Sequence, residues 1–122
     1  MPAKIILIVE DEPAVADLLK FLFEKDGYTT ISASDGEEAI SLATSNKPDL
    51  ILLDLMIPKI DGYSVYRQLQ ADETTANIRI IVLTAKSGMQ DLFQFEKNIV
   101  AYMEKPFDPK ILRDKVKEAL NG

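Results

Sequence analysis

None of the 122 residues is a cysteine and none is a histidine. Without thiols the chain can form neither a disulfide framework nor a thiolate metal site. Without imidazole it has no histidine chemistry and no histidine-ligated zinc. Positive charge is scarce as well: 14 Lys and Arg stand against 20 Asp and Glu, for a net charge of -6, and basic residues occur only as scattered singles and pairs. That balance argues against nucleic acid or an anionic membrane as the primary partner. Long apolar runs are missing too. The first, Ile5 to Val9, is far too short for a signal or membrane helix, so the expected location is the cytoplasm.

The chain that remains is 47% hydrophobic, enough for one well-filled core and too short for two ordinary domains; a single domain over 1–122 is expected. Five apolar, β-rich runs alternate with five segments of helical period, which predicts a parallel sheet with helices on both faces. Ile5 to Val9 is the first strand. Glu10-Asp11-Glu12 before Pro13 mark a helix start, because proline at the first helical position gives up no needed donor. Val15, Leu18, Leu19, Leu22 and Phe23 then define one apolar face of a helix ending near Gly27. Tyr28 to Ala33 reads as a second, edge-ward strand, and Ser34-Asp35-Gly36-Glu37 opens a helix with Ala39, Ile40 and Ala43 inward. Leu50 to Leu53 form a central strand ending in Asp54. After Asp61-Gly62, a turn, the third helix buries Val65 and Leu69. Ile78 to Thr84 is nearly continuously apolar, as burial on both faces requires. A fourth, less regular helix is expected over roughly Gly88 to Lys97, then a strand from Val100 to Glu104. The last helix starts at Asp108-Pro109, with Leu112, Val116, Ala119 and Leu120 inward.

In open parallel sheets ligands bind beyond the carboxyl ends of the strands. The residues expected there are Glu10, Asp11 and Glu12, Asp54, Thr84 and Lys105. Two or three carboxylates in one crevice repel one another unless a cation joins them. Oxygen donors alone suit a hard ion, so Mg2+ retaining several waters is the expected cofactor, with Mn2+ able to substitute. Beside such an ion, a lysine and a threonine hydroxyl can neutralise and bond phosphoryl oxygens. Asp54, the central carboxylate, is then the candidate nucleophile.

Set together, Val9-Glu10-Asp11-Glu12-Pro13, Asp49 to Asp54, Pro58 with Gly62, Thr84-Ala85 and Lys105-Pro106-Phe107 resemble the receiver domain of two-component response regulators, a family that includes single-domain chemotaxis regulators. The resemblance covers residues 4 to 121. It implies a flavodoxin-like, doubly wound (βα)5 α/β fold with five-stranded parallel sheet order 2-1-3-4-5. It implies Asp54 as phosphoacceptor, Asp11 as direct Mg2+ ligand, Glu10 as a second acid holding the ion through water, and Met56 as a ligand through its backbone carbonyl. Thr84 matches the switch hydroxyl, Lys105 the phosphate-contacting lysine with a commonly cis bond to Pro106, and Tyr102 the aromatic that turns inward. Met56 and Lys86 flank the path of attacking water. The implied donor is a sensor histidine kinase or histidine phosphotransfer protein, and the implied output is protein binding by a monomer or weak homodimer. The domain would catalyse its own phosphorylation and dephosphorylation without being an enzyme of metabolism. Departures fall between Thr84 and Lys105, which are slightly closer than in the family, and at Asn98-Ile99-Val100-Ala101.

Blander readings stand beside these. Asp11 and Glu12 could be capping acids, Thr84 a β-former, Lys105 a solvated turn residue and Tyr102 a packed aromatic. Leu92, Phe95 and Ile99 share a helical face, whereas Phe93 points elsewhere, which leaves one aromatic partly exposed. Phe93, Phe95 and Ile99 are therefore expected on a surface made by the fourth helical segment, the fifth strand and the last helix, where a downstream effector or second copy would bind. Two rivals are a non-phosphorylated scaffold and a haloacid-dehalogenase-like phosphohydrolase. The latter wants a second Asp where Met56 stands.

Overall fold

The computed structural model describes residues 3–85, 93 and 96–121. Strands β1 (Ile5–Val9), β2 (Thr29–Ala33), β3 (Leu50–Asp54), β4 (Arg79–Thr84) and β5 (Ile99–Glu104) form one parallel sheet in the order β2-β1-β3-β4-β5. Helices α1 (Pro13–Lys25), α2 (Gly36–Asn46), α3 (Gly62–Ala71) and α4 (Pro109–Asn121) cover it. The further helix expected over Gly88 to Lys97 falls largely outside the described residues, as do Lys86, Leu92 and Phe95.

Side chains alternate across a strand, and here both faces are apolar. Leu7, Val9, Ile51, Leu53, Ile80 and Val82 point to one side, against Ala39 and Ala43 of α2 and Val65, Tyr66 and Leu69 of α3. Ile6, Ile8, Leu50, Leu52, Ile81 and Leu83 point to the other, against Leu19 and Phe23 of α1 and Leu112, Val116 and Leu120 of α4. All five β3 residues are buried, so its terminal Asp54 must find polar partners at the sheet's edge or destabilise the fold.

Local chemistry sets the helix starts. Pro13 occupies the first turn of α1, and Glu12 is its N-cap without a side-chain capping bond, so the capping reading of that acid does not hold. Asp35 Oδ1 accepts from Glu38 N at 2.8 Å, while Glu38 Oε1 accepts from Ser34 N at 2.8 Å, a reciprocal arrangement that satisfies donors at the start of α2. Asp61 caps α3, accepting from Ser64 N at 2.9 Å and from the Ser64 hydroxyl at 2.8 Å. Gly36 and Gly62 are glycines for want of space. A Cβ on Gly36 would lie 2.2 Å from Ile60 O, and one on Gly62 would lie 2.6 Å from Asp54 O. Close packing of α2 and α3 against the loop after β3 thus holds Asp54 in place.

Two expectations are corrected. Leu18, assigned to the inward face of α1, is 45% exposed, and Phe21 beside it is 58% exposed. The sheet side of α1 is filled by Leu19 and Phe23, four apart, and the stripe is narrower than the apolar spacing suggests. Phe93, expected on a docking surface, is only 3% exposed. Its ring lies 5.3 Å from Tyr66, 5.6 Å from Tyr63 and 6.2 Å from Tyr102. Aromatic rings from α3 and β5 enclose it, a neighbourhood that helical periodicity within its own segment could not reveal.

Candidate phosphoacceptor site

The sheet topology brings three chain segments to the carboxyl edges of β1, β3 and β5. Glu10 follows β1 directly, its N–H donating to Ala33 O of β2 at 3.0 Å. Asp54 ends β3, and Lys105 follows β5 with its N–H donating to Thr84 O at 2.9 Å. The Lys105–Pro106 peptide is cis.

Lys105 Nζ donates to Asp54 Oδ2 at 2.9 Å and also bonds Glu10 Oε1. Glu10 and Asp54 are each only 4% exposed. Each also accepts from backbone on its other oxygen: Glu10 Oε2 from Glu12 N at 3.1 Å and Asp54 Oδ1 from Met56 N at 2.9 Å. Burial pushes the Glu10 carboxyl up and the Asp54 charge adds to this; the bonds from Lys105 and Glu12 N oppose it. Burial alone would lower Lys105, but its bonds to Glu10 and Asp54 outweigh that and raise it. The ammonium is therefore a fixed positive charge shared between two carboxylates.

Asp11 is exposed and completes the group: one ligating oxygen each from Glu10, Asp11 and Asp54 lies within 4.8 Å of the others. Three carboxylates served by one ammonium leave negative charge uncompensated. An all-oxygen donor set open to solvent on the Asp11 side fits a hard divalent ion that keeps part of its water. Thr84, fully buried at the end of β4, pairs in register with Glu104, next to Lys105. Tyr102 is half-buried on β5 opposite Val82. Met56 has an exposed side chain, and Ile99 is half-buried against the core.

Two features escaped the sequence reading. One is a groove of about 470 Å³ beside Lys105, lined by Val15 and Leu18 of α1, Ala85, Pro106, Phe107 and Pro109. The other is the enclosure of Phe93 by Tyr63 and Tyr66. Their spacing of three on α3 next to Val65 was the available signal.

A parallel sheet in this order, with an acidic cluster and a lysine at its carboxyl edge, defines a receiver-type signalling domain. Residues 6–117 match the response regulator receiver domain family, and the chain belongs to that family. It is 42% identical over 116 residues to the DNA-binding dual master transcriptional regulator RpaA of Synechocystis, covering 94% of this chain and 48% of that protein. It is 39% identical to sporulation initiation phosphotransferase F of Bacillus subtilis, covering 94% of this chain and 92% of that one. The receiver domain of the sensor histidine kinase PA1611 from Pseudomonas aeruginosa, crystallised with magnesium coordinated in its active site cleft, superposes with a TM-score of 0.87 at 29% identity, covering 99% and 100% of the two chains. The chain spans about half the length of the first curated relatives it matches. Among the described residues no helix is long and apolar enough to cross a membrane.

Proposed function

We propose that residues 1–122 form one phosphorylation-controlled switch in which Asp54 accepts a phosphoryl group from a phosphohistidine on a sensor kinase or phosphotransfer protein. A carboxylate oxygen of Asp54 attacks phosphorus, the bond from phosphorus to the donor's imidazole nitrogen breaks, and that nitrogen leaves with the electron pair. Glu10, Asp11, Asp54 and the Met56 carbonyl would hold Mg2+, or Mn2+ in its place, which when bound neutralises phosphoryl oxygens. Lys105 is already within bonding distance of Asp54 and supplies a second positive charge to the same oxygens. Its backbone bond to Thr84 O ties this lysine to the strand end that carries the switch hydroxyl.

The groove beside Lys105 supports a donor presenting an apolar surface next to its histidine: Val15, Leu18, Pro106 and Phe107 would contact that surface while Asp54 reaches the phosphorus. Output would pass through β5, α4 and the segment ahead of β5, where Tyr102 reports on Thr84. Phe93 is buried; among the described residues, Val100 of β5 and Ile111 of α4 are exposed. A cytoplasmic location and a monomer or weak dimer accord with this role.

The observation that carries the reading is the junction of Asp54 with Lys105 at 2.9 Å and with the oxygens of Glu10 and Asp11. Intact-mass measurement after incubation with acetyl phosphate and Mg2+ tests it. The wild type should gain one phosphoryl group and Asp54→Asn none. An equal gain in both would remove Asp54 from the role.

A further inference from the structure

Among the described residues, two other than glycine have a positive φ: Lys47 at 44° and Lys59 at 69°. Lys47 is the C-cap of α2, and its N–H donates to Ala43 O, an ordinary left-handed helix end. Lys59 ends no helix. It stands between Pro58 and Ile60, and the Ile60 N–H donates back to Pro58 O at 2.9 Å. A bond closed over three residues around a positive φ is the γ-turn of the rare, strained hand. Such strain persists only where the surroundings over-determine it, and it concentrates at functional sites.

The surroundings here are the first turn of α2. Pro58 O accepts a second bond, from Gly36 N at 3.2 Å, and Gly36 lies so near Ile60 O that a Cβ on it would be 2.2 Å away. Lys59 Nζ reaches the same helix start, 3.5 Å from Asp35 Oδ2 and 3.9 Å from Glu37 Oε2. More than half of that side chain is exposed, so these ion pairs count for little beside the backbone contacts. The rest of the segment between β3 and α3 is anchored as well. Gly62 N donates to Leu55 O at 3.1 Å, and the side chains of Leu55 and Ile57 are buried. Between these two, Met56 N–H donates to Asp54 Oδ1 at 2.9 Å. Burial holds Leu55 and Ile57, whereas Pro58 to Ile60 is held by the turn and its brace.

We propose that the strained turn at Lys59, braced by α2, is a positioning device for phosphoryl acceptance: it keeps the Met56 backbone on Asp54 and so sets the orientation of the accepting carboxylate. Lys59 acts through this backbone path and is a positioning residue. The hold on Met56 is a property of the loop alone; its effect on phosphoryl uptake rests on the phosphoacceptor reading above.

The test uses Lys59→Gly, Lys59→Ala and Gly36→Ala. Each is measured for amide hydrogen exchange without divalent ions, for melting temperature, and for the rate of phosphoryl uptake from acetyl phosphate with Mg2+. Glycine takes a positive φ without strain and frees the turn, whereas alanine keeps the strained backbone and removes only the ammonium. In Lys59→Gly the Gly36 and Met56 amides should exchange about tenfold faster relative to those of β3. Uptake should slow about fivefold, with the melting temperature within about 3 °C of wild type. Lys59→Ala should match wild type in exchange and uptake. Gly36→Ala, which forces the brace away from Ile60, should reproduce the faster Met56 exchange and the slower uptake well below its melting transition. Unchanged exchange or unchanged uptake in Lys59→Gly would overturn the proposal, as would a loss of uptake in Lys59→Ala as large as in Lys59→Gly. If the wild type itself took up no phosphoryl group, the phosphoacceptor reading would fall. The exchange measurements would still decide the hold on Met56, faster exchange in Lys59→Gly supporting it and unchanged exchange refuting it.

Discussion

Lys105 Nζ and Asp54 Oδ2 meet at 2.9 Å although 51 positions separate them along the chain. The same ammonium bonds Glu10, so one cation serves two nearly buried acids. Breaking such a pair from one side leaves the other charge buried and uncompensated.

Replacing Lys105 with Met should therefore lower the melting temperature in the absence of divalent ions. Added Mg2+ should raise it by more than in wild type, because an ion among the three carboxylates replaces the missing charge. Phosphoacceptance should slow by on the order of 100-fold, the cost of one lost oxyanion contact. Melting curves with and without Mg2+ measure the first effect; equal Mg2+ shifts in the two proteins would show that lysine and ion do not compensate the same charge.

Phe93→Ala should destabilise the protein by about 3 kcal/mol, the usual consequence of emptying a buried aromatic site. Denaturant titration gives the number. A loss below about 0.5 kcal/mol, as for an exposed side chain, would contradict its enclosure by Tyr63, Tyr66 and Tyr102.

Gly36→Ala should cost about 2 kcal/mol, because the new methyl group meets backbone rather than a movable side chain. Equilibrium unfolding is again the measurement. An unchanged midpoint would mean that α2 can withdraw from Ile60 freely.

Asp26, at the carboxyl end of α1, accepts from Arg113 of α4 through Nε at 2.8 Å and Nη2 at 2.5 Å. Those bonds, followed by the charges of Arg113, Lys117 and Lys25, hold its carboxyl below the usual range against the effect of burial. An aspartate in the unfolded chain titrates near ~3.9. Because the folded-state value is the lower one, the pair's contribution is complete above the unfolded value and disappears as pH falls through the folded one. Asp26→Asn should melt roughly 3 °C below wild type at pH 7, and the gap should close below about pH 4. A gap that persisted undiminished into that acid range would locate the effect in packing instead of charge.

Much of this molecule is legible in the order of its residues. The near-continuous apolar runs of β3 and β4 announce strands buried on both faces, since nothing else tolerates such runs in so short a chain. Leu112, Val116, Ala119 and Leu120 keep helical spacing and all four are buried. Glu10, Asp54, Thr84 and Lys105 each stand at the carboxyl end of an apolar run, so a parallel sheet, once assumed, gathers them at one edge.

What the linear chain could not decide depends on neighbours from distant segments. Leu18 has the spacing of an inward residue, yet borders an open groove, because Leu19 and Phe23 already fill the space between α1 and the sheet. Phe93 has the spacing of an outward residue and is buried, because Tyr63 and Tyr66 on α3 and Tyr102 on β5 close over it. Periodicity orders side chains around a single element's axis. Which side meets solvent is settled only when other elements pack against it, and that same packing places Lys105 against Asp54.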